Sequence, residues 1–284
     1  MTLIFLHLGQ TGGSTFGKAI ERQFKSGIYH VKGQEAALEK FKNLPKDRLA
    51  KIKFLWGHMP YGMHRYLTQP SSYITLLRDP VDKVIASYLR IKNTPGHPFY
   101  EPLQKMSIRD FALSNFHIAE NDYTRFLIGS EQIYAEKQLA KDFRLTPLPP
   151  DALATALNTL KSFYLVGTNK RLEETLLILN KMLGRENLYF FERNAGAQFP
   201  QVDLKTRKII EERNILDRRL FQFAESAINA QLTEPLLKET AKFKKYNKIF
   251  SAPLFLKEYS YKRIRSLGWR FAGHVPSHIR KLLR

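Results

Sequence analysis

Apolar positions in the first third of the chain come in short runs separated by glycine- or proline-marked turns. Residues 2–9 (Thr-Leu-Ile-Phe-Leu-His-Leu-Gly) form such a run and read as a buried strand ended by glycine. Ile52 to Gly57, Tyr73 to Leu77 and Phe163 to Gly167 read the same way. Helical periodicity fills the intervals. It predicts helices from Gly13 to about Lys25, over 34–43, and from Pro80 to about Lys92. It returns from Ser107 to Lys141 with a break near Gly129, then from Asp151 to Lys161 and from Lys170 to Leu183, closed by Gly184. A last long amphipathic helix is expected from Ile209 to Gln231.

Strands alternating with helices imply an α/β fold with a parallel central sheet flanked by helices on both faces. Pro80 suits the first turn of its helix, with Asp79 as N-cap, and Asp151 is a second N-cap candidate.

The turn after the first strand changes the picture. Gly9-Gln10-Thr11-Gly12-Gly13-Ser14-Thr15 lies between a strand and a helix. Glycines there let successive backbone N–H groups converge, the helix N-terminus adds partial positive charge, and Ser14 and Thr15 add hydroxyl donors. Such a turn can cradle a phosphate or phosphosulfate, or merely connect β to α. The ATP-type loop G-x-x-x-x-G-K-[ST] is absent, because the spacing is shorter and no lysine precedes Ser14.

With its flanks, the segment from His7 to Thr15 resembles the His-x-Pro-Lys-Thr-Gly-Gly-Thr segment of PAPS-dependent carbohydrate sulfotransferases related to the heparan sulfate 2-O- and 6-O-sulfotransferases. Trp56-Gly57-His58-Met59-Pro60-Tyr61-Gly62 resembles the Gly-His segment of that family, and Leu77-Arg78-Asp79-Pro80-Val81 its Leu-Arg-Asp-Pro-Val segment. Weaker likenesses follow at Thr124-Arg125-Phe126-Leu127, at Leu165 to Thr168 with Arg171 and Glu174, and at Asn214-Ile215-Leu216-Asp217. Together they span about residues 2–225.

The resemblance implies a three-layer fold like that of P-loop NTPases and a sulfuryl transfer from PAPS to a hydroxyl of a carbohydrate or glycan. Gln10, Thr11, Gly12, Gly13, Ser14 and Thr15 would hold the 5′-phosphosulfate, and Arg78 the 3′-phosphate, for which an arginine fork suits. His58 is the implied general base, since imidazole titrates near neutral pH. His7 reads as structural and His64 as an alternative base. Arg125 would contact acceptor or donor phosphate, and no metal is expected.

Two positions depart from the family. Gln10 replaces the loop lysine, keeping a donor but losing a charge, for which Lys18 or Arg125 is a candidate substitute. Ala86 replaces a serine that binds the 3′-phosphate, leaving Ser87 one position on. On a helix that is about 100° of rotation. A weak or inactive relative that binds polyanions is therefore an alternative. A P-loop kinase is another, lacking a loop lysine and a clear Mg²⁺ carboxylate.

Composition narrows the classes further. The chain of 284 residues is 43% hydrophobic, enough for a globular core, and has no cysteine, which excludes disulfides and thiolate chemistry. No signal-peptide pattern opens it and no run approaches about 18 apolar residues, so a cytoplasmic protein is expected. The net charge is +20, of which +11 falls in residues 242–284. Residues 1–241 are read as the sulfotransferase-like domain and 242–284 as a basic, aromatic-rich extension of short amphipathic pieces. The extension suits an acidic glycan or an anionic membrane surface. Nucleic acid is disfavoured, as no reader motif is present.

Overall fold

The computed structural model describes residues 1–31, 35–129, 146–185, 190 and 201–258, with side chains for all of these except 35–36 and those beyond 247. At its centre is a parallel sheet of five strands: β1 (Thr2–Leu6), β2 (Ile28–Val31), β3 (Phe54–Gly57), β4 (Ser71–Leu77) and β5 (Leu165–Thr168). Their order is β2-β3-β1-β4-β5. β1 pairs with β3 in the register Leu6↔Gly57 and with β4 in the register Leu6↔Thr75. The direction of strand addition reverses at β1, and ligands of open parallel sheets bind beyond the carboxyl ends of strands at such a reversal.

β1 is buried throughout, and its alternation divides the core. Ile4 and Leu6 face one layer with Leu55, Tyr73 and Leu77, under the helices α7 (Asp122–Leu127), α8 (Ala152–Lys161) and α11 (Ile215–Asn229). Leu3 and Phe5 face the other with Trp56, Ile74 and Leu76, under α1 (Gly13–Glu21), α9 (Leu172–Met182) and α12 (Glu234–Glu258). Period-2 side chains sandwiched between helices give the expected three layers. A third cluster packs α4 (Pro80–Lys92) against α5 (Tyr100–Gln104), α6 (Ile108–Leu113) and Ile210 of α10 (Leu204–Arg213).

Several expectations are corrected. β2 carries no apolar run: as an edge strand it leaves Ile28 and His30 exposed, so the buried-strand pattern is absent. Helix α1 stops at Glu21 rather than near Lys25. Asp151 occupies the N-cap of α8 without a capping bond; its carboxylate accepts from the Thr155 hydroxyl at 3.1 Å. The long helix expected over 209–231 is two helices, α10 and α11, parted at Asn214. The buried Asn214 amide donates to the carbonyls of Ala119 and Ile210, both at 2.8 Å. The expected helix over 107–141 is a set of short segments as far as Gly129, its remainder lying outside the described residues.

Helix α2 (Glu35–Lys42) and the Asp79–Pro80 start of α4 follow the reading, and a short helix α3 (Lys46–Ala50) adds to it. Asp79 Oδ1 accepts from the N–H groups of Val81 and Asp82 at 3.0 and 3.1 Å. α12 runs without interruption through residue 242, where the basic region begins.

Candidate active site

The loop after β1 is built around His7. Its N–H donates to the Gly57 carbonyl, extending the strand pairing by one residue, and its ring is buried between loop and sheet. Burial, with smaller contributions from His58 and His30, holds its pKa well below 6.5, so the ring is neutral at physiological pH. That agrees with a structural role. A Cβ on Gly13 would lie 2.0 Å from the His7 ring, so only glycine lets α1 start this close to β1.

Gly12, at φ +83°, is the N-cap of α1 and offers no side-chain acceptor. The first turn of the helix carries no acidic residue. Its leading N–H groups, at Gly13 and Ser14, lie too early for an intrahelical acceptor, and an anion is the natural complement. Thr15 is buried and its N–H bonds Gly12, while Thr11 uses its hydroxyl to close the loop on the Leu8 carbonyl at 2.8 Å. Thr11 therefore shapes the cradle, and Ser14 is the half-exposed hydroxyl beside it.

Arg78 leaves the end of β4 toward this loop. Its Nη1 donates to the backbone carbonyl of Gln10 at 3.2 Å, with Gln10 itself in the left-handed region at φ +59°. The guanidinium thus rests against the loop at Gln10.

His58 follows Gly57 at the end of β3. A side chain at Gly57 would collide with the Val31 carbonyl at 1.9 Å, the same carbonyl that accepts from the His58 N–H. The His58 ring stacks on His7 with centroids 4.2 Å apart, and its Nδ1 lies 2.8 Å from the His7 carbonyl. A carbonyl only accepts, so Nδ1 carries the hydrogen and the neutral ring keeps its basic lone pair on Nε2. The ring is half-exposed at the carboxyl edge of the sheet. His58, Arg78 and the glycine loop therefore come together at the ends of β3, β4 and β1.

Other expected site residues lie elsewhere or are held differently. His64 bonds the Tyr73 hydroxyl near the start of β4, about 16 Å of strand away from Arg78. Ser87 is buried two turns into α4 and donates to the Lys83 carbonyl at 2.9 Å. Ala86 beside it is buried as well. Arg125 is buried on α7 and donates to the carbonyls of Thr146 and Glu120 at 2.7 and 3.4 Å. Lys18 pairs with Glu21 at 2.7 Å over the Trp56 ring. Both cations considered as substitutes for the loop lysine thus hold protein groups.

Sequence reasoning gave no role to the buried network behind Arg78. Tyr123, fully buried on α7, places its hydroxyl 3.3 Å from the Arg78 N–H and 3.2 Å from the Arg78 carbonyl. Asp217 of α11 accepts from the N–H groups of Tyr123 and Thr124 and from the Thr124 hydroxyl, each at 2.8 Å. In return the Asn121 side chain accepts from the N–H groups of Leu216 and Asp217 at 3.1 and 3.3 Å. The two helices cap each other's N-termini, joining two of the weaker sequence likenesses into one network. Lys83 and Asp122, both buried, pair beside it at 2.7 Å. Burial raises Asp217 to about 6, against the opposing Lys83 charge and the N–H bonds. No sequence signal marks Lys83 or Tyr123, whose partners are remote.

A cleft of about 250 Å³ opens at the end of β5, between Thr168, Lys170 and Arg171 and the α11 residues Glu225, Ile228 and Asn229. Glu174 on α9 is buried between Arg171 and Lys244, 3.5 Å from each, so part of the basic tail is neutralised internally. Among the described residues no three His, Asp or Glu side chains converge as metal ligands would, and no helix is long and apolar enough to cross a membrane.

No family model and no curated protein matches the chain. Among solved structures it is similar to mouse sulfotransferase SULT7A1 complexed with PAP, at 13% identity and a TM-score of 0.32, over 80% of this chain and 88% of that chain. A likeness at that level says nothing of activity, which this chain's own residues must supply.

Proposed function

We propose that this chain is a sulfotransferase that moves the sulfuryl group of PAPS to a hydroxyl of a carbohydrate or glycan. The observation that carries the reading is the meeting of an uncapped, glycine-built helix start, a fixed arginine and a histidine with Nε2 as its basic nitrogen at one edge of the sheet. The N–H groups at the start of α1, with Ser14, hold the 5′-phosphosulfate, and Arg78 receives the 3′-phosphate. His58 Nε2 takes the proton of the acceptor hydroxyl as its oxygen bonds to sulfur. The bond from sulfur to the bridging oxygen breaks in line and PAP departs. The loop N–H groups stabilise the charge that grows on the leaving phosphate.

Calorimetric titration with PAP tests the donor site. Micromolar binding that Arg78→Ala weakens to a still measurable millimolar range is the expected result; equal binding by both proteins, or none at millimolar PAP, overturns it. Gln10 favours a second reading, a donor-binding protein with little turnover. Restoring the cation in Gln10→Lys is expected to raise sulfuryl transfer by about 10²–10³, the scale of one electrostatic donor. PAP binding without turnover in either protein selects the second reading.

A further inference from the structure

We infer that Tyr123, anchored by Asp217, is a positioning residue for Arg78, an inference that rests on the donor reading above. β4 ends at Leu77, whose register partner on β5 is Thr168, the last residue of that strand. Arg78 therefore follows the last paired residue of β4. Its carbonyl also precedes the first helical bond of α4, which runs from the Lys83 N–H to the Asp79 carbonyl. A backbone unit so placed lies outside both the strand ladder and the helix, so side chains must help to hold it.

One phenol fills both roles. The Tyr123 hydroxyl accepts from the Arg78 N–H and donates to the Arg78 carbonyl. Burial keeps that hydroxyl protonated, and therefore able to donate, by pushing its pKa well above 10. The ring has little freedom to swing away. It is fully buried in the layer that includes Leu8 and Leu77, and the Lys83 ammonium lies 5.6 Å from its centroid. Its own N–H is held by Asp217. Rigid contacts thus run from Asp217 through Tyr123 to the Arg78 backbone, while the Arg78 side chain reaches the Gln10 carbonyl. An arginine on a fixed backbone binds phosphate with less ordering cost than one on a loose turn.

A tyrosine that only filled the core would affect stability and leave ligand affinity alone, so affinity is the discriminating readout. The experiment is PAP calorimetry on the full chain as wild type, Tyr123→Phe, Arg78→Ala and the double variant. It is paired with amide hydrogen exchange at Arg78 in the ligand-free proteins. Tyr123→Phe keeps the ring and removes one oxygen, so the fold is retained. The expected result is a loss of PAP affinity of about tenfold, the scale of one or two buried hydrogen bonds. No further loss is expected in the Arg78→Ala background, because the two residues act as one unit. Exchange at the Arg78 amide is expected to accelerate. Asp217→Asn, which keeps one acceptor oxygen, is expected to retain more affinity than Asp217→Ala.

Wild-type affinity in Tyr123→Phe, where Arg78→Ala has lost it, overturns the inference and leaves the donor reading standing. Losses that simply add in the double variant overturn it too. Where the wild type binds no PAP, the donor reading falls and this inference falls with it, and an Arg78 amide whose exchange is unchanged in Tyr123→Phe overturns the anchoring of the backbone as well.

Discussion

Two connections meet at Arg78 and are built on opposite principles. The β1–α1 loop is lightly tied: the Thr11 hydroxyl bonds Leu8, the Arg78 guanidinium bonds Gln10, and its helix starts from a glycine. The β4–α4 junction is dense. Asp79 caps α4, Tyr123 grips the Arg78 backbone, Asp217 and Asn121 cap each other's helices, and Lys83 pairs with Asp122 out of water. The difference separates two tasks. A loop that presents N–H groups to an anion must leave them without protein partners, whereas an arginine that meets an anion gains from a backbone that cannot move.

The contrast is open to breaking, most severely in the dense half. Lys83→Ala leaves Asp122 buried without its counter-ion and is expected to cost about 3–5 kcal/mol in urea unfolding, whereas Lys18→Ala, at a half-exposed pair, is expected to cost under about 1 kcal/mol. Similar losses in the two variants would erase the contrast. The next effect lies in the loop. Gly13→Ala drives a methyl into the His7 ring and is expected to cost about 1–3 kcal/mol, while Gly9→Ala, with open space around it, stays within about 0.5 kcal/mol. A neutral Gly13→Ala would mean that His7 is not wedged. Removing the cap in Asp79→Ala is expected to lower stability by about 1 kcal/mol, read as a shift in the urea midpoint.

The smallest effect is in pH dependence. His7 has a folded pKa below its unfolded 6.5, so its contribution is present above that pH and is lost as pH falls and the unfolded chain takes up the proton. Asp217 runs the other way. Its folded pKa of about 6 exceeds 3.8, so its contribution is present below 3.8 and lost as pH rises through about 6. Stability is therefore expected to decline on acidification from about pH 8 to about 6, before Asp217 begins to compensate. His7→Asn should make that decline shallower without abolishing it, since His64 and His97 are shifted in the same direction. An unchanged slope would remove His7 from the account.

How much could be read in advance follows the range of the forces involved. The glycine loop, the Arg78-Asp79-Pro80 helix start and the strands β1, β3, β4 and β5 depend on neighbours within a few residues, and the linear pattern carries them. β2 escaped because an edge strand buries only part of one face, and Ile28 and His30 stay exposed. The break at Asn214 escaped because two of its partners, Ala119 and Asn121, lie more than ninety residues away. Ser87 and Arg125 were singled out by the resemblance, and their hydroxyl-to-carbonyl and guanidinium-to-carbonyl bonds in the folded chain could not be read from it.

By itself, then, the order of residues determined an α/β chain with a glycine turn after its first strand and with His58 and Arg78 at two strand ends. Those are consequences of periodicity, turn chemistry and capping, all local. Only the tertiary structure decided that β1 sits at the point where strand addition reverses, which brings those three ends to one edge. It also decided that Tyr123 meets the Arg78 backbone and that Asp217, Lys83 and Asp122 gather behind Tyr123. Buried polar groups find partners wherever folding delivers them, and the distance between them along the chain leaves no local mark.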